Sequence, residues 1–382
     1  MQQKMLSDAE VSQNEVELND GDSMDDNTPL DLSNSDRRLV TQPYDLAVKS
    51  LNDDIEQGRI KLKIEYQRKY IWDNGKASRL IESLLLNVPI PVIYFAEDED
   101  GAYEVIDGLQ RLTAISRFLG NKFKFYGLTV LKEFNGKRAS DLPPRDLRRL
   151  ENRTIRCIVI TEDSDPDIKF DVFERLNTGA AILTSQELRN SVYRGPYNDS
   201  LKRLARENWF TELVGKQSNK RMELEELVLR FFALYEGVVN YKPPLRQFLN
   251  HYMSEHRRLN LNPHEVEVFK DCCITAKAVF AGLPFKSSTS KNSLNKALFD
   301  AFMIPFAFSD RNFIKNNSSA VRDALTNLED DKGFRASVGR ATADRRRMLF
   351  RIRFVESRLI ECGVKINLPS GLEQLSDLGS QE

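Results

Sequence analysis

The chain has 382 residues, 41% of them hydrophobic, which is enough for two domains with cores of their own. Its formal net charge of −1 hides an asymmetry: residues 1–36 hold ten carboxylates against the single basic residue Lys4, and the rest holds 55 basic against 47 acidic residues. No apolar run approaches the length of a membrane span. The N-terminus lacks a secretory pattern. The four cysteines fit neither a disulfide framework nor a zinc site, so a reduced, cytoplasmic setting is expected.

Residues 1–36 are polar, acidic and poor in aromatics, and are expected to be a disordered tail. A first domain is expected over 37–195. It begins with a short helix, Leu51 to Gln57, and a strand in the alternating stretch Ile60 to Ile64. Ala77, Leu80, Ile81, Leu84 and Leu85 make a one-sided stripe that predicts a helix over 75–86, stopped by Pro89 and Pro91. A strand at 92–95, a hairpin turn at Asp98–Gly101 and a strand at 102–107 follow. Leu112, Ile115, Phe118 and Leu119 then fall at helical spacing over 109–119. A strand pair is expected over Phe123 to Leu131, an arginine-rich stretch over 138–156, and a strand over Thr154 to Ile160. Helix 166–176 would be capped by Asn177-Thr178-Gly179, and helix 185–193 would close the domain. Residues 196–365 read as helical, with helices at 320–329 and 340–361, and 366–382 as a flexible tail. His251, His256 and His264 lie in one region but lack the spacing of a metal centre.

The most informative segment is Asp107-Gly108-Leu109-Gln110-Arg111, where a strand turns straight into an amphipathic helix. The first amides of a helix have no internal partners and carry partial positive charge, which suits an anion such as phosphate. Arg111 adds a forked donor for phosphate oxygens, and Asp107 suits a metal, a water or a hydroxyl. A plain helix start whose arginine pairs with a surface carboxylate would look the same.

Other segments bear on that choice. They are Gln67-Arg68, Leu80-Ile81-Glu82-Ser83, Pro89-Ile90-Pro91, Asn177-Thr178-Gly179 and Gln186-Glu187-Leu188-Arg189. In this order and spacing, over roughly residues 40–200, they resemble the GmrSD-type family (domain of unknown function 262). The resemblance implies an α+β chain with a ParB/sulfiredoxin-like N-terminal domain and a mostly α-helical C-terminal domain. It also implies nucleoside triphosphate binding and hydrolysis with Mg²⁺, coupled to DNA sensing in restriction or phage defence. Asp107, Gln110 and Arg111 would be catalytic, Asp107 also holding the metal. Gln67, Arg68, Gly108, Asn177, Thr178, Gly179 and Arg189 would line the nucleotide site, with Arg68 and Arg111 on phosphates and Glu187 in support. Leu109 stands where the family commonly has Gln, which leaves open a non-catalytic DNA-binding sensor or partner subunit that binds nucleotide without turnover. No P-loop and no nuclease motif is present, so a separate nuclease or ATPase subunit is an expected partner. For DNA, helix 340–361 offers Arg345, Arg346, Arg347 and Arg351 as backbone contacts; local salt bridges on an exposed helix are the alternative.

Overall fold

A computed structural model describes residues 38–62, 70, 72–98, 100–176, 183–215, 219, 221–280, 282, 284–286, 294–367 and 369. The acidic tail, Gln67, Arg68, Asn177, Thr178, Gly179 and most of 366–382 lie outside the described residues. The fold is α+β. Its N-terminal half contains β1 (Thr41–Ala47), α1 (Val48–Glu56), β2 (Ile60–Lys61), α2 (Asn74–Leu86), β3 (Ile93–Glu97), β4 (Tyr103–Asp107), α3 (Leu109–Leu119), α4 (Pro144–Glu151) and β5 (Thr154–Ile160). The five strands form one sheet in the order β1-β5-β3-β4-β2. β1 runs antiparallel to β5, β3 parallel to β5, β4 antiparallel to β3 and β2 parallel to β4.

The sheet divides its side chains between two cores, as alternation along a strand requires. Ile93, Phe95, Val105, Ile155, Cys157 and Val159 face a core shared with α1, α2 and α3. Ala96 and Ile160 join a second, larger core made mostly of helices. α5 (Pro166–Leu176) and α6 (Ser185–Val192) contribute Phe170, Phe173, Leu188 and Val192 to that second core. The chain then continues through α7 (Pro196–Leu204), α8 (Asn208–Val214), α9 (Glu223–Gly237), α10 (Leu245–His256) and α11 (Pro263–Val279). α12 (Lys296–Ala307), α13 (Arg311–Asn316), α14 (Ser318–Leu325), α15 (Lys332–Gly339) and α16 (Arg345–Glu361) complete it. No described helix is long and apolar enough to cross a membrane.

The helix expected from Leu51 starts at Val48, and the one expected over 320–329 ends at Leu325, where Thr326 turns extended; three larger expectations also differ from the structure. Residues 41–47 form an unforeseen strand that pairs along all of β5. The stretch 123–131 forms no strand pair: Phe125 bonds by backbone to Lys137 and Gly136, and side chains take several of the other amides, with Ser78 Oγ accepting from Tyr126 N–H at 2.9 Å and Glu82 Oε1 from Val130 and Leu131 N–H at 2.9 and 2.8 Å. The last helix starts at Arg345 rather than 340, because Asp344 caps it by accepting from the Arg347 N–H at 3.0 Å.

Candidate functional site

β4 brings Asp107 to the edge of the turn through a register shift. Asp107 pairs with Tyr94 and Val105 with Phe95, so Ile106 is the extra residue of a bulge. Bulges of this kind bend a strand and re-aim the side chains that follow. Gly108 then takes φ +107°, where side-chain-bearing residues are strained, and a Cβ there would sit 3.0 Å from Cγ1 and Cγ2 of Ile93. Only glycine makes this turn without moving β3. α3 starts at Leu109 with no side-chain cap.

Asp107 is half-exposed. Its Oδ2 accepts from Arg111 Nη2 at 2.7 Å, an i,i+4 pair on the first turn of the helix. The Arg111 guanidinium is buried, and its Nη1 also donates to the carbonyls of Pro91 and Val92. Burial pulls the Arg111 pKa down and the Asp107 carboxylate opposes the fall; the group stays cationic at neutral pH. Arg111 therefore fixes the carboxylate and closes the Pro89–Pro91 segment onto the helix. Gln110 is half-buried, and its Oε1 accepts from the Trp72 N–H at 3.4 Å. Leu109 is half-buried against the N-terminal core, so its side chain anchors the helix start.

The remaining expected site residues divide. Arg189 is buried in the helical core, where it donates to Asn250 Oδ1 at 2.8 Å and Gln186 Oε1 at 3.2 Å, tying α6 to α10. Glu187 forms a capping box with Thr184 at the start of α6, with bonds of 2.6 and 3.2 Å. Both are structural members where they stand.

The α16 arginines are mostly committed to protein. Arg351 is fully buried and pairs with Asp300 at 2.9 Å, so it is no surface contact for DNA. Asp300 also holds Arg230, at 3.1 and 2.5 Å, making a buried Arg–Asp–Arg triad. Arg345 donates to the carbonyls of Tyr241 and Val239 at 2.8 and 3.0 Å, and Arg347 to those of Arg340 and Ala336 at 2.6 and 3.3 Å. Arg346 alone of the four is exposed. A signal for the triad was present in the sequence: Arg230 and Asp300 each interrupt an otherwise apolar helical run, and buried charges are nearly always paired.

Among the described residues no three metal-ligating side chains cluster. Burial pushes the Cys157 thiol up to about 12, which removes it as a nucleophile. What remains is an α+β domain in which the turn at the end of β4 sets a half-exposed carboxylate beside an uncapped helix start. Residues 48–194, which contain that turn, match the family described as GmrSD restriction endonuclease, N-terminal domain. No curated protein matches the chain.

Proposed function

We propose that the chain binds and hydrolyses a nucleoside triphosphate at the β4–α3 turn, coupled to DNA sensing in a restriction or phage-defence system. The observation that carries the reading is the turn itself: Asp107 stands half-exposed beside the uncapped N-terminus of an eleven-residue helix. The segment's match to a restriction endonuclease domain supports the setting. The reading carries with it a ParB/sulfiredoxin-like arrangement for the N-terminal domain and a cytoplasmic location.

In this reading the α3 N-terminus faces phosphate oxygens. Mg²⁺ normally takes one or two carboxylates and completes its shell with phosphates and water, so a single carboxylate fits, and Asp107 would hold the ion. The ion would supply charge neutralisation on the phosphates. Arg111 holds the Asp107 carboxylate in place from its buried position. Gln110 orients the attacking water. Arg68 supplies the phosphate grip for which Arg111, committed to two carbonyls, is less suited. Gln67, Asn177, Thr178 and Gly179 complete the nucleotide wall. Leu109 is compatible with turnover because its packing shapes the turn and leaves the polar side chains in place. A separate nuclease or ATPase subunit would act on the signal.

Hydrolysis by the full chain with Mg²⁺, measured with and without DNA, tests the proposal. Turnover that rises when DNA is added supports coupling. Tight nucleotide binding with no turnover under either condition would replace it with a nucleotide-gated sensor.

A further inference from the structure

Residues 122–126 follow α3, pack on its Phe118 and reach α2 at Tyr126, and their side chains alternate. Phe123 and Phe125 point inward, with the Phe125 ring 4.4 Å from that of Phe118. Lys122, Lys124 and Tyr126 point outward, as period two requires. The stretch is held from both sides. Phe125 exchanges backbone hydrogen bonds with Lys137 and Gly136 at 2.9 Å, and Tyr126 N–H donates to Ser78.

Tyr126 is 71% exposed, the most exposed large hydrophobic side chain among the described residues. Its ring forms one wall of a shallow groove at the start of α2, which Lys76 and Arg79 also line. Arg138 flanks the other end, anchored to the Asn121 carbonyl at 3.1 Å. Among the described residues none of Lys76, Arg79, Lys122 and Lys124 sits in an ion pair. Two carboxylates accompany them: Asp73, which lines the groove and accepts from the Lys76 N–H at 2.7 Å, and Asp141, which accepts from the Arg138 N–H at 2.9 Å and also feels the charges of Lys124 and Arg138. The strip is therefore an aromatic face set among five cations against two carboxylates, a positive excess.

We propose that this strip binds single-stranded nucleic acid, with Tyr126 stacking on a base and Lys76, Arg79, Lys122, Lys124 and Arg138 following the phosphates. A basic track with a stacking ring is the arrangement by which proteins hold unpaired strands. A duplex keeps its base faces stacked inside and would leave Tyr126 without a partner. An acidic protein surface would use the cations but has no reason to leave the ring open. The inference goes beyond the nucleotide site, and neither Tyr126 nor these cations belong to it.

Fluorescence anisotropy with the full chain tests this, using labelled deoxythymidine and uridine oligonucleotides and a duplex, each about 20 nucleotides long to exceed one site. The single strands should bind tighter than the duplex. Tyr126→Ala should weaken them by roughly fivefold to a hundredfold, with the salt dependence unchanged. Tyr126→Phe should restore binding. Lys122→Ala with Lys124→Ala should lower the salt slope by about 1.4, the value for two phosphate contacts on a single strand. The deoxy and ribo arms show which sugar the strip accepts. No binding of either single strand, wild-type affinity in Tyr126→Ala, or equal affinity for the duplex would overturn the proposal. Triphosphate hydrolysis in Tyr126→Ala should stay at the wild-type rate, so failure here is separable from failure of the nucleotide site.

Discussion

Replacing Asp300 with Asn probes the part of the molecule where the structure departs furthest from a DNA-binding reading. Asp300 sits at 0% side-chain exposure between Arg230 at 2% and Arg351 at 0%. One carboxylate thus holds two buried guanidiniums through bonds of 3.1, 2.5 and 2.9 Å. Removing its charge leaves both cations in a buried core, where Glu226, 3.8 Å from Arg230, and the Ser337 and Thr342 carbonyls that accept from Arg351 compensate in part. Breaking a buried pair from one side costs about 3–5 kcal/mol, because the cost is the stranded charge and not the pair's net contribution. At about 2–4 °C per kcal/mol, Tm should fall by roughly 6–20 °C. Thermal denaturation followed by circular dichroism measures this directly. Replacing all three residues together, Arg230→Met, Asp300→Leu and Arg351→Met, should recover most of the loss, because an apolar set strands no charge. A fall in Tm of under about 2 °C in Asp300→Asn would refute the argument. It would mean that Arg351 reaches water and is available to a ligand after all.

The other consequences are narrower. Gly108→Val forces a branched side chain into φ +107° and onto Ile93, so it should cost about 2–4 kcal/mol by combined strain and overpacking, read by urea denaturation; a neutral result would mean that the turn is pliable. Glu226 is buried, which by itself raises a carboxyl pKa, but the Lys296, Arg189 and Arg230 cations outweigh burial and bring it down to about 2. A carboxyl depressed in the folded state stabilises above its unfolded pKa and loses that contribution as pH falls. Stability should therefore drop by a few kcal/mol between about pH 5 and pH 2, and Glu226→Gln should flatten that slope in acid titrations. Persistence of the full slope in Glu226→Gln would assign it to other carboxylates. Arg346→Ala, at an exposed position, should leave stability within about 0.5 kcal/mol of wild type. Arg345→Ala removes the hydrogen bonds to the carbonyls of Tyr241 and Val239 and should cost about 1–3 kcal/mol. Equal melting of the two variants would contradict the division of α16 drawn here.

What could be read from the sequence was what local pattern determines. β4, the turn and α3 followed from the alternation of Tyr103 and Val105, the Asp107-Gly108 pair and the helical spacing of Leu112, Ile115 and Phe118. The hairpin at Asp98–Gly101 and the strand at 154–160 were legible for the same reason. β1 was not, because it is an edge strand with Pro43 inside it and mostly exposed residues, so it shows no alternation. The stretch 123–131 misled because several of its amides are satisfied by Ser78 and Glu82, whose side chains lie about fifty residues earlier. The arginines of α16 misled in the same way. A guanidinium facing solvent and one paired with Asp300, 51 residues away, look alike in sequence. At the candidate site the pairing of Asp107 with Arg111 at i,i+4 was foreseeable, whereas the commitment of Arg111 to the Pro91 and Val92 carbonyls was not, since it depends on how β3 enters the sheet.

The most direct test of the account is triphosphate hydrolysis by wild type and Asp107→Asn side by side. Asn keeps an acceptor for Arg111 Nη2 and removes the charge that would hold a metal ion, so the fold should survive with a near-wild-type Tm. The account predicts turnover in the wild type and a loss of at least about a hundredfold in the variant, the scale of removing one charged group from a transition state. Hydrolysis at the wild-type rate in a folded Asp107→Asn protein would contradict it and move the chemistry away from the β4–α3 turn.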